Sequence, residues 1–205
     1  MKNLILGAFA LTVLLLTSCS GGIKLDNFDD AAALNKVIAD NLKADSKVTS
    51  VDIRAVSQYL STEVSSIQIY QTTADEKRYL THVFLEPQQE TTDKELEYKE
   101  STLPASMKSK KDPGRSITDY DFTVAFTNIS TAAQQVIDSG MTYSGVGSYK
   151  ITFSEDPSKD KHEFSILSKT GTSTQGRRIV TEYYELEATA DAEGNVTIDI
   201  ITDEE

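Results

Sequence analysis

The chain has 205 residues, with 20 Lys plus Arg against 32 Asp plus Glu, one Cys, two His and no Trp. A net charge of -12 excludes sequence-independent nucleic-acid binding, which is built from many Lys and Arg contacts to phosphate. A single Cys excludes an internal disulfide and a thiolate metal cluster, while 39% apolar and 25% charged residues predict a folded body rather than wholesale disorder.

Lys2 and Asn3 precede residues 4–16 (LILGAFALTVLLL), a run without charge. It is shorter than the roughly 20 residues of a membrane-crossing helix and has the length of an export signal. Leu16-Thr17-Ser18-Cys19 closes it, and the chain holds no other Cys. The four residues resemble the lipobox of bacterial lipoproteins, a resemblance confined to the signal segment. It implies that residues 1–18 are removed, that Cys19 carries a diacylglyceryl thioether, and that the new amino terminus is acylated. Without the resemblance, the same stretch reads as an ordinary secretory signal or a core helix. One acyl chain, at about 0.8 kcal/mol per buried methylene, anchors marginally, whereas two or three anchor durably. Losing eighteen residues, Lys2 among them, takes the chain from 205 to 187 residues and its charge from -12 to -13. Ser20 follows the Cys where inner-membrane lipoproteins carry Asp, so the family rule implies the outer membrane and leaves the face open.

Ser20-Gly21-Gly22 begins a small-residue tether over residues 19–27. Asp29 or Asp30 then caps a helix to about Lys43, with Leu34, Val37, Ile38, Asn41 and Leu42 on one face. From Val48 the period falls to two. Strands are predicted around Val51 and Ile53, around Ile67 and Ile69, and over Tyr79 to Leu85. The last of these is apolar on both faces, which suggests a central position. Leu96 and Tyr98 give a fourth, charged strand of edge type.

Residues 104–118, with Pro, Gly, Ser and the basic cluster Lys108, Lys110, Lys111 and Arg115, read as a linker or long loop. A strand on Tyr120, Phe122, Val124 and Phe126 follows. Ser130 or Thr131 opens a helix carrying Ala133, Val136 and Ile137, and Gly140 ends it. Four more strands are expected: on Tyr149 to Phe153, on Phe164 and Ile166, on 178–188, and on Val196, Ile198 and Ile200. Turn-rich connections favour antiparallel hairpins. NFDDAAALNKVI (27–38) and NISTAAQQVI (128–137) share an Asn start, an Ala pair and a closing Val-Ile. The expected fold is α+β: two helix-plus-antiparallel-sheet units in tandem, over 28–103 and 119–205, related as an internal repeat.

Catalytic chemistry finds little support. His82 and His162 belong to no metal-binding spacing, and each reads as a packed or solvated side chain. Ser158-Lys159-Asp160-Lys161 and Lys169-Thr170-Gly171 mimic S-x-x-K and K-T-G, but the first sits in a polar turn instead of opening a helix. Residues 171–176 read as a flexible loop. Gly145-Val146-Gly147 precedes a strand rather than a helix, and 191–195 reads as a hairpin turn rather than a calcium loop. Tyr143, Tyr149, Tyr183 and Tyr184 offer flat contact surface.

The reading is a lipid-anchored envelope protein that binds a protein, peptide or glycan without catalysis. No cofactor, metal site or nucleic-acid partner is expected. The alternatives are a carboxylate-dependent hydrolase of an envelope polysaccharide and a structural spacer.

Overall fold

The computed structural model describes residues 22–56, 61–85, 90–96, 114–175 and 178–199, without the side chains of 175 and 178–181. Cys19, Tyr98, Lys108, Lys110, Lys111 and Ile200 lie outside them.

Helix α1 (Ala31–Asp40) is preceded by one 3-10 turn, Phe28–Asp30. Asn27, rather than Asp29 or Asp30, caps that turn by accepting from the Asp29 N–H. The helix buries Ala31, Leu34 and Ile38, the stripe expected from the 3.6 period. Strands β1 (Lys47–Ala55), β2 (Val64–Thr72), β3 (Arg78–Phe84) and β4 (Glu90–Glu95) follow. Helix α2 (Thr123–Asp138) then leads into β5 (Tyr143–Thr152), β6 (Lys161–Gln175), β7 (Arg178–Ala190) and β8 (Val196–Ile198). All eight strands join one antiparallel sheet in the order β4-β3-β2-β1-β5-β6-β7-β8.

The two halves meet at β1 and β5, where Val51 faces Ile151, Ile53 faces Tyr149, and Asp52 faces Lys150. One side of the sheet holds Val51, Ile53, Ile67, Ile69, Val83, Ile151, Phe164, Ile166 and Leu186. These pack with Leu34 and Ile38 of α1 and Phe126, Ile129 and Val136 of α2 in one core. The fold is therefore α+β, with both helices on a single continuous sheet.

Three local expectations are corrected. Residues 120–126 alternate like a strand, yet α2 already starts at Thr123. Phe122, Ala125, Phe126, Ile129, Ala132 and Val136 are all buried, so a helical stripe overlaps the period-two pattern, and short apolar runs fit either period. Asp121 favours the helix by accepting from the N–H and Oγ of Thr123 (2.9 and 2.6 Å), capping contacts that no strand offers. Residues 171–175 are not a loop, because β6 continues through them, paired to β7, with a register shift between Lys169 and Gly171. Strand β3 is next to the edge rather than central, and only Thr81 and Val83 on it are buried.

The helix end at Gly140 follows expectation. Gly140 has φ +85°, its N–H reaches Ile137 O, and Met141 N–H reaches Val136 O, the paired bonds of a Schellman stop. The segment read as tether joins the body from Gly22 on. Val64 N–H donates to Ile23 O (2.7 Å), Leu25 N–H donates to Thr62 O (2.9 Å), and Leu25 is fully buried. The end of the expected linker is also packed, since Val48 and Arg115 exchange backbone hydrogen bonds (2.8 and 3.2 Å).

Candidate functional site

The helices leave the other side of the sheet bare among the described residues. Strand alternation puts Ser66, Gln68 and Tyr70 of β2 there, in register with Phe84, His82 and Leu80 of β3. Ser50, Asp52 and Arg54 of β1 continue the face to Thr152, Lys150 and Ser148 of β5. Eight strands at about 4.8 Å spacing make it roughly 34 Å wide. Many of its groups are polar, and charged ones pair locally: Arg54 with Asp52 (3.3 Å) and Lys150 with Glu163 (3.2 Å).

Tyr70, Leu80, His82 and Phe84 interrupt this polar mosaic. All four are half-buried, and the His82 and Phe84 rings lie 3.8 Å apart, tilted by 36°. His82 Nε2 is enclosed without a hydrogen-bond partner among the described residues. Burial, followed by the Arg54 charge, holds its pKa below the ordinary histidine value. The sequence places His82 in an apolar strand, but its side chain belongs to the helix-free face and not to the core. Tyr70, Leu80 and Phe84 escape sequence reasoning as surface residues because their apolar character matches that of a core strand.

A second concavity, about 360 Å³, lies between α1 and residues 117–122. Ile38, Leu42, Ile117 and Phe122 give it an apolar floor, while Asn35, Lys36, Asp119 and Asp121 give it a polar margin. Asn35 joins its two walls: Nδ2 donates to Asp121 Oδ1 (3.0 Å), and Oδ1 accepts from Phe122 N–H (2.8 Å). Hydrogen bonds from Thr123 and then Asn35 hold the Asp121 pKa below the carboxylate norm.

No family model, curated protein or solved structure matches the chain.

The remaining polar clusters serve the architecture. Gln71, 2% exposed, accepts at Oε1 from Lys43 N–H and Ser46 Oγ and donates from Nε2 to Asn41 O and Thr81 Oγ1. All four of its capacities are used, tying the loop after α1 to β2 and β3. Thr81 donates onward to Asp93 on β4. Asp93 also pairs with Lys43 (2.7 Å), and these hydrogen bonds, Lys43 first, lower its pKa.

Arg115 is an ion-pair partner of Asp160, with side chains 19% and 4% exposed. Its guanidinium carbon lies 5.3 Å from the Tyr120 ring centre and 5.1 Å from that of Phe153. The contact of Arg115 is thus internal, unlike a lipid-phosphate or partner contact.

Ser158 and Lys159 both turn to Asp156: Ser158 Oγ donates to it (2.7 Å) and Lys159 lies 3.3 Å away. This is local turn chemistry rather than an S-x-x-K site. Gly147 permits close strand approach, since a Cβ there would stand 2.4 Å from Ser165 Oγ. Asp191 caps its own turn by accepting from the N–H groups of Glu193 and Asn195 and from Asn195 Nδ2.

The four tyrosines separate. Tyr149 is wholly buried, Tyr143 bonds Asp26 (3.3 Å), and Tyr183 and Tyr184, 45% and 41% exposed, alternate on β7.

Proposed function

We propose that the chain is a bacterial envelope lipoprotein, held on the outer membrane through lipid on Cys19, and that it binds a protein, peptide or glycan without catalysis. The observation that carries the binding reading is the helix-free face, with Tyr70, Leu80, His82 and Phe84 gathered on β2 and β3 among polar, locally paired neighbours. Aromatic and aliphatic anchors within a polar surround are the anatomy of a recognition surface.

The anchor and the body stand close in this reading. Gly22 is docked so tightly that a Cβ on it would fall 2.3 Å from Glu63 Oε1. Three residues from Cys19 to Gly22 span at most about 10 Å. The body is therefore held next to the bilayer rather than on a long stalk.

The symmetric order of strands about β1 and β5, with one helix before each set of four, supports reading the chain as two tandem units related by an internal repeat.

The test is recovery of the lipidated protein from its native envelope, with mass spectrometry of co-purified chains and glycans. Phe84→Ser with Tyr70→Ser is expected to release the partner while leaving the fold and membrane attachment intact. A partner retained by that variant would refute the assigned face. Recovery of no partner, together with turnover of an envelope polysaccharide, would refute the non-catalytic reading.

A further inference from the structure

Asn128 on α2, Tyr149 on β5 and His162 on β6 form a hydrogen-bonded chain within the core, with 1%, 0% and 2% of their surfaces exposed. Asn128 Nδ2 donates to the Tyr149 hydroxyl oxygen (2.7 Å), which lies 3.0 Å from His162 Nδ1. With that oxygen already accepting from Asn128, the single hydroxyl proton is directed to His162 Nδ1. The imidazole is then an acceptor at Nδ1 and carries its own proton on Nε2. The chain has a direction, from the helix through the tyrosine to the imidazole. At its helix end Asn128 Oδ1 is buried with no partner among the described residues, near the β7–β8 turn, where a Cβ on Gly194 would lie 3.8 Å from it.

A second proton on His162 conflicts with that direction. Nδ1 becomes a donor, so the Tyr149 oxygen meets N–H groups from both sides and its own hydrogen has no acceptor within the chain. Rotation of the Asn128 amide by half a turn resolves the conflict. The unpartnered Oδ1 then accepts from Tyr149 O–H, and the Tyr149 oxygen accepts from His162 Nδ1–H. One proton enters from solvent, no covalent bond other than N–H forms, and both hydrogen bonds reverse.

We propose that Asn128, Tyr149 and His162 are a proton-operated latch on α2, directed toward the imidazole while it is neutral and reversed, with the Asn128 amide turned over and both hydrogen bonds kept, when His162 is protonated. The latch is a property of the scaffold and goes beyond the binding reading.

The groups facing His162 set its working range. Asp160 lies two residues before it and is itself paired with Arg115. Asp191 stands in the β7–β8 turn, and both carboxylates favour protonation. The cross-strand neighbours Ile151 and Ala190 are apolar. Burial outweighs the two carboxylates and keeps the pKa below 6.5. Burial also pushes the Tyr149 hydroxyl above its usual range, so the tyrosine stays protonated throughout. The latch accordingly points toward the imidazole at neutral pH and reverses under acid.

An NMR titration of the full chain from about pH 7 downward, continued until the His162 ring resonances have shifted, tests this. The expected result is the Nε2–H tautomer at neutral pH, with the Asn128 side-chain amide resonances changing at the His162 midpoint, below 6.5. His162→Gln keeps an acceptor oxygen for Tyr149 but cannot titrate, and is expected to remove the coupled change, whereas His82→Gln leaves it. Three results would each overturn the proposal: an Nδ1–H tautomer, an Asn128 amide unmoved through the His162 titration, or a coupled change that survives in His162→Gln. Should His162→Gln not fold, the tautomer and the shared midpoint in the unaltered chain decide the matter.

Discussion

Asp160→Asn tests how the edge of the core is held. Asp160 is 5% exposed, pairs with Arg115 and accepts the Ser154 N–H at Oδ1 (2.9 Å). Asparagine preserves the shape and that acceptor but removes the charge, leaving the guanidinium between Tyr120 and Phe153 without its counter-ion. Removing one partner of a buried pair costs about 3–5 kcal/mol. The Arg115 side chain retains 19% exposure, which admits some water and places the expected loss near 3 kcal/mol. Urea unfolding followed by far-UV circular dichroism at neutral pH reads this as a lower midpoint at unchanged slope. For a body of this size the same loss lowers Tm by roughly 6–12 °C. Arg115→Met combined with Asp160→Asn removes both charges, keeps the acceptor for Ser154, and is expected to recover most of the loss, because no uncompensated buried charge remains. A single-variant loss below about 1 kcal/mol, or a double variant no more stable than the single, would refute the argument that an uncompensated buried charge sets the cost.

Four further outcomes are expected. Cys19→Ser abolishes incorporation of labelled fatty acid, and persistent labelling would sink the lipobox reading. Gly114→Ala is more damaging in urea unfolding than Gly140→Ala. Both glycines have positive φ, but a Cβ at 114 would stand 2.1 Å from Val48 O whereas nothing lies within 4 Å at 140, so the latter costs only the left-handed strain of about 1–2 kcal/mol. Gln71→Leu destabilises by at least about 2 kcal/mol, because it strands several buried partners at once. Stability falls as pH drops below 6.5: burial lowers the His162 pKa, the unfolded chain binds the proton first, and the loss levels off once pH passes below the folded-state value. A flat profile between about pH 7 and 5, measured by urea midpoint, would contradict that linkage.

Much of the fold is legible in the residues because period and capping are local properties. The stripe of Leu34 and Ile38, the alternation in β1, β2 and β5, and the stop at Gly140 each follow from a few neighbouring side chains. The error at residues 120–126 arises where a helical stripe and a two-residue alternation share the same aromatics, and Asp121 tips the balance through hydrogen bonds to Thr123 and Asn35. Residues 169–175 have the composition of a loop, yet pairing with β7 satisfies their backbone, and composition does not encode which strand will be adjacent.

The sequence by itself determines the expectation of a lipid at Cys19, since Leu16-Thr17-Ser18-Cys19 is a linear signal, and it determines the α+β class, since hydrophobic period distinguishes helix from strand. Only the tertiary structure decides that β1 and β5 merge two sets of strands into one sheet, that Leu80, His82 and Phe84 face away from the helices, and that Arg115 is locked to Asp160. It also decides that His162, one of two histidines in the chain, meets Tyr149 and Asn128. These are contacts between side chains distant in sequence, and their free energy depends on burial and direction, which exist only once the sheet has formed.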